Sequence, residues 1–144
     1  MNSMILKSAH MGRMALFTAA LAILGPAWAH AGDAAPTGNQ GFKTTKSQVV
    51  DLGPEIAGMD NRQLRLRILT IEPGGHIGVH SHNDRPAVVY FIQGTDTVIF
   101  GDGTVKKFQP GDVGSAGKAT THWHRNDGKE PVVFVAVDIL HKKK

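Results

Sequence analysis

Five of the eight histidines fall in two short groups: His76, His80 and His82, then His122 and His124. Each group contains an H-x-H pair, His80-Ser81-His82 and His122-Trp123-His124. On a strand, residues two apart share a face, so both imidazoles of a pair can address one ion. A lone histidine is more often a surface or a satisfied core residue, and one H-x-H pair is weak evidence. Two pairs in a chain of antiparallel strands are stronger, because the fold can bring both to one pocket. The chemistry expected is therefore binding of a divalent metal by imidazole. A histidine-lined pocket for an anion is the open alternative. In a regular strand the same parity carries back from His80 and puts His76 and Gly78 on the ligand face.

Other chemistries are thinly supported. The chain has no cysteine, which removes thiolate ligands, cysteine nucleophiles and disulfides. No serine stands in a nucleophile motif, and no glycine-rich phosphate loop precedes a helix. Arg85 and Arg125 are near the histidines in sequence and are candidates to attract an anion, although an ion pair or a solvated side chain is the plainer reading of each. Asp112 reads as a turn cap, Asp138 as structural, and Trp123 as facing away from its two histidine neighbours. Tyr90 and Phe91 must point to opposite faces of their strand.

The elements that must position these groups are strands. Residues 63–72 (QLRLRILTIE) alternate Leu64, Leu66 and Ile68 with Arg65 and Arg67, the period of a half-buried strand. Residues 87–93 (AVVYFIQ) form a short apolar run, and residues 95–100 follow Gly94. Gly101-Asp102-Gly103 and Pro110-Gly111-Asp112 are turn signals, and residues 131–140 (PVVFVAVDIL) make a last long strand. No amphipathic helix stands out. Short strands with frequent turns predict an all-β sandwich or barrel in a single domain, over residues 42–144.

Ahead of that domain, the chain opens like an export signal. Lys7 and Arg13 precede an uncharged apolar run at residues 14–24, Gly25-Pro26 breaks it, and small residues offer cleavage after Ala29 or Ala31. The run is too short for a membrane span, which needs roughly 20 apolar residues. The division expected is a signal peptide at 1–31, a flexible linker at 32–41 and the β-domain from 42 to 144, with a periplasmic or secreted product and no stable membrane anchor after cleavage. Loss of residues 1–31 removes two of 16 basic residues and no acid, so 14 basic against 12 acidic residues leave +2. No basic patch interleaved with aromatics remains, which argues against a nucleic-acid partner.

The segment from Gly74 to His82 resembles the first motif of the cupin superfamily, in particular its small single-domain type-2 members. In that motif a glycine is followed by an H-x-H pair, a glutamate and a second glycine. Gly74, His80, His82 and Gly94 stand at matching spacings. The second motif is met at Gly111, His122 and Asn126 and departs in the middle, where Gly117 and Ala119 replace its proline and glycine. The resemblance implies a double-layered antiparallel β-barrel, jelly-roll-like, with His80, His82 and His122 as metal ligands. It also exposes a gap: the glutamate position falls on Ala87. His76 and His124 are the candidates for a fourth imidazole or for a catalytic base. Asn83 and Asp84 are polar neighbours outside the motif's frame.

Imidazole ligands alone do not choose among iron, zinc, manganese, nickel and copper. Without a carboxylate ligand the ion keeps more positive charge, which favours an anionic small molecule at its open positions. The resemblance implies a small-molecule metalloenzyme of the oxygenase (dioxygenase-like), isomerase or lyase kind, acting on a carboxylate or enol. The alternatives are a non-enzymatic binding protein for a metal or an anionic ligand, and a barrel without metal. A homodimer is expected by analogy with the family.

Overall fold

A computed structural model describes residues 34–142. The leader at 1–31 and its cleavage sites lie outside those residues. Eight strands follow one another: β1 (Gln40–Asp51), β2 (Arg62–Ser81), β3 (Ala87–Gln93), β4 (Asp96–Phe100), β5 (Val105–Phe108), β6 (Val113–Ala116), β7 (Thr121–Arg125) and β8 (Val132–His141). Every pairing is antiparallel, in the order β5-β4-β7-β2-β8-β3-β6 with β1 added on β2, and the sheet curls into a nearly closed barrel. The expected all-β barrel is therefore the observed fold.

The long strand β2 joins the two layers. Its first half pairs with β8, from Arg62↔His141 to Ile71↔Val132, and its second half pairs with β7, from His76↔Arg125 to Ser81↔Thr121. The core lies between the layers and is built from Leu69, Ile71, Phe91, Val132, Phe134 and Ala136. Phe91 stacks on Phe108 at 4.8 Å between ring centroids and lies 5.3 Å from Phe134, so aromatic packing ties β3, β5 and β8 together.

The turns use the chemistry their residues offer. Asp112 caps its turn by accepting from the Gln109 N–H at 2.7 Å, and Asp102 accepts from the Thr104 N–H at 2.9 Å. Gly94 sits at φ 72°, and a Cβ there would come within 2.6 Å of the Pro131 carbonyl oxygen, so only glycine fits. Asn126 is buried and staples the chain: its Nδ2 donates to the Ile71 and Glu130 carbonyls, and its Oδ1 accepts from the Gly128 N–H, each at 2.9 Å.

Three features depart from the sequence reading. Strand β1 carries no alternating apolar pattern, because it lies at the surface with nearly all its side chains in solvent. The described part of the stretch read as a flexible linker is docked. The Pro36 carbonyl accepts from the Val79 N–H at 2.7 Å, the Asn39 side chain accepts from the Gly78 N–H at 2.9 Å, and Gln40 and Gly41 already belong to β1. Third, the first half of β2 turns its arginines inward. Leu64 and Leu66 are 37% and 40% exposed, while Arg65 and Arg67 lie on the barrel's inner side with Leu69 and Ile71. The cause is long-range: Asp138, fully buried on β8, stands opposite Arg65.

Candidate metal centre

His80 on β2 and His122 on β7 are direct partners across the ladder, and His82 follows two residues after His80. Their Nε2 atoms converge. His80 to His122 is 3.1 Å and His82 to His122 is 3.1 Å, and the three donor atoms all lie within 4.8 Å of one another. Four ligands about 2.0–2.1 Å from a tetrahedral zinc would stand roughly 3.3 Å apart, close to the two 3.1 Å separations that His122 makes.

In His80 and His82 the other ring nitrogen favours the ligating tautomer. His80 Nδ1 is 2.9 Å from the Gly78 carbonyl oxygen and His82 Nδ1 is 2.9 Å from that of Arg85. A carbonyl only accepts, so the Nδ1 atoms of His80 and His82 carry the hydrogen and their Nε2 atoms present lone pairs, while His122 Nδ1 is buried with no hydrogen-bond partner and leaves its tautomer free. Burial, reinforced by the charges of His124, His82 and Arg85 and opposed by the Gly78 bond, brings His80 down to about 4. Burial and then the neighbouring histidines and Arg85 bring His122 down to about 2, and burial lowers His82 as well. At neutral pH all three are uncharged, the form that binds metal.

The three histidines open on a cavity of about 270 Å³ inside the barrel. Ala87, at the start of β3, lines it, as the motif's frame requires of the residue in the glutamate's place. His124 lines it too, with its ring 4.7 Å from His122 and stacked at 5.7 Å on His80. His124 is outside the three-nitrogen group, and its Nδ1 lies 2.6 Å from Oδ2 of Asp96, a fully buried residue of β4. Nothing local in the sequence marks Asp96, since its partner on the adjacent strand β7 lies 28 residues away along the chain.

One expectation about position is corrected, that for His76, and the plainer reading of Arg125 as an ion pair holds. His76 does not line the cavity. A register shift between Ile77 and His80 inserts an extra residue into β2, which breaks the assumed parity and brings Ile77, not His76, to the pocket side. Arg125 does not line it either; it pairs with Asp127 at 2.6 Å and covers the ring of Trp123, which is buried on the face of β7 away from the histidines. Arg85 does line it, and so does Arg67, although the alternation of β2 assigns Arg67 to the polar side of that strand. Asp84 is at the surface and pairs with Arg62 and His141. Phe91 is in the core, and Tyr90 faces solvent.

The cupin domain family model matches residues 67–138. Oxalate decarboxylase OxdC of Bacillus subtilis is 36% identical over 74 residues, which is 49% of this chain and 19% of that protein's length. The chain thus spans about a fifth of the curated relative it matches. Among solved structures, a cupin-2 domain protein of Rhodospirillum rubrum aligns with TM-score 0.50 at 20% identity, covering 73% of this chain and 66% of that one. The Cnp3 cupin domain of Schizosaccharomyces pombe aligns with TM-score 0.52 at 14% identity, covering 72% and 66%. At these identities the two structures speak for the fold alone.

Proposed function

The chain belongs to the cupin domain family, and from that premise we propose that it is an exported metalloenzyme that acts on a small anionic molecule at His80, His82 and His122. The observation that carries the reading is the grouping of the Nε2 atoms of three uncharged imidazoles at the wall of the barrel's cavity. Three histidines with open positions are the pattern of a catalytic site. A bound divalent ion would supply Lewis acidity toward a substrate oxygen.

The protein's own groups do the rest. Phe91, Phe108 and Phe134 give the cavity an apolar wall. Asp96 holds His124 in one orientation beside the ligands, which suits His124 to moving a proton. The similarity to an oxalate decarboxylase favours lyase chemistry on a carboxylate over the oxygenase and isomerase readings. Activity of the metal-loaded protein against a carboxylate panel, followed as carbon dioxide release and as oxygen uptake, separates these readings.

A second reading has its own support. With Ala87 in the glutamate's place, the centre lacks a carboxylate ligand, which suits a binding protein that captures a metal or an anion without turnover. Tight ligand binding with no product across the panel would favour it. Export rests on the leader at 1–31, and amino-terminal sequencing of protein recovered from the periplasm tests it. We also propose a homodimer through the outer face of β3, β8 and β2. Val88 and Tyr90 are exposed there beside Leu64 and Leu66. A monomer in sedimentation equilibrium at micromolar concentration would exclude it.

A further inference from the structure

The cavity contains a second charged feature that the metal reading does not use. Asp138 is fully buried on β8 and faces three arginines. Arg65 takes both of its oxygens, Nε to Oδ1 at 3.0 Å and Nη2 to Oδ2 at 2.7 Å. Arg67 Nη2 at 3.1 Å and Arg85 Nη1 at 3.3 Å then crowd onto the same Oδ2. Three guanidiniums share one carboxylate, so the cluster carries two uncompensated positive charges. Arg67 Nε is buried with no hydrogen-bond partner, a costly state for a donor. Arg67 and Arg85 both line the cavity, and no aspartate or glutamate does so among the described residues. The remaining wall is largely apolar, with Phe42, Leu69, Val89, Phe91, Phe108 and Phe134.

We propose that Arg67 and Arg85 form an anion subsite, and that the ligand is a small monocarboxylate with an apolar or aromatic body. Its carboxylate supplies the acceptors that Asp138 cannot, and its body lies along the phenylalanines. A volume of about 270 Å³ equals that of about nine waters at ~30 Å³ each, so the ligand has on the order of ten heavy atoms. A compact dianion would leave the apolar wall without contact. The inference rests on the reading above in taking this cavity as the substrate site, but the arginines do not depend on the ion.

The test is calorimetric titration of the full chain, metal-free and zinc-loaded, with benzoate, benzamide and oxalate. Benzamide has the shape of benzoate without its charge. Arg67→Met and Arg85→Met remove one guanidinium each and leave Asp138 bonded to Arg65 through both oxygens. Arg125→Met removes an arginine outside the cavity. The expected result is binding of benzoate, at least tenfold weaker binding of benzamide and of oxalate, and a loss of roughly 10–100-fold in either cavity variant. Arg125→Met should bind benzoate as the wild type does.

Equal binding of benzoate and benzamide by the wild type, or no benzoate binding in either metal state, overturns the proposal without need of the variants. Undiminished binding in folded Arg67→Met and Arg85→Met overturns the subsite, and tighter oxalate than benzoate overturns the apolar body. The metal reading is judged separately on the same samples. If zinc is not retained while benzoate binds as expected, the metal reading fails and the anion subsite stands. If zinc is retained throughout and benzoate ignores the arginines, the reverse holds.

Discussion

Replacing Asp138 by Asn should destabilise the barrel more than any other single loss of charge in it. The carboxylate has no exposed surface, and the three arginines around it are 18–28% exposed, so none can swing fully into water. Asn keeps the shape but removes the counter-charge, leaving three guanidiniums to repel one another. Removing one partner of a buried ion pair costs about 3–5 kcal/mol. Partial exposure of the arginines places this site near the low end, at about 3 kcal/mol, or roughly 10–20 °C in Tm for a domain of this size. The pH dependence should agree. Burial pushes Asp138 up, but the Arg65 hydrogen bonds and the charges of Arg67, Arg65 and Arg85 outweigh it and hold the carboxyl below the usual range. A depressed folded value means that the contribution is complete above the unfolded carboxyl pKa near 3.9 and is lost as pH falls through the lower folded value. Urea unfolding of wild type and Asp138→Asn, at pH 7 and at pH 3, measures both effects. A difference below about 1 kcal/mol at pH 7 would refute the reasoning, since that is the size of an ordinary surface ion pair.

Metal loading should persist well below the ordinary imidazole pKa of about 6.5, because the folded values of His80 and His122 lie at about 4 and about 2. Protons then displace the ion only below the ordinary imidazole range, since burial lowers all three ligands, whereas metal-free protein should lose stability already below pH 6.5, where the unfolded chain takes up protons that the fold refuses. Metal content across a pH series checks the first part, and release complete by pH 6 would contradict it. Ala87→Glu should add a carboxylate to the centre, raise metal affinity roughly 10–100-fold and favour manganese, since carboxylate suits harder ions. A less stable variant whose metal affinity is unchanged would mean that the new side chain does not reach the ion.

The sequence revealed what depends on local pattern and hid what depends on register. The span of β3 could be read directly from the apolar run at 87–93, and the turn at Asp112 from its residue types. The pair His80 and His82 was legible because the strand period aims both at one point, whereas His122 was singled out over His124 only by the resemblance to the second cupin motif. His76 failed the same rule because one register shift reverses every side chain beyond it, and no residue type reports such a shift. Strand β1 has no apolar face to be read. The inward arginines of β2 looked like a solvent face, and only the register with β8, which sets Asp138 opposite Arg65, shows otherwise. Asp96 was silent for the same reason: it matters through His124, which lies on the neighbouring strand.

The central claim is that three converging imidazoles hold a metal ion. Its most direct test is elemental analysis of the protein purified without a polyhistidine tag, beside His80→Ala, His82→Ala and His122→Ala. The account predicts a stoichiometric divalent ion in the wild type and only traces in each variant, because two imidazoles hold such an ion poorly. A wild type free of metal after incubation with zinc, iron and manganese, or variants that all keep a full complement, would contradict it.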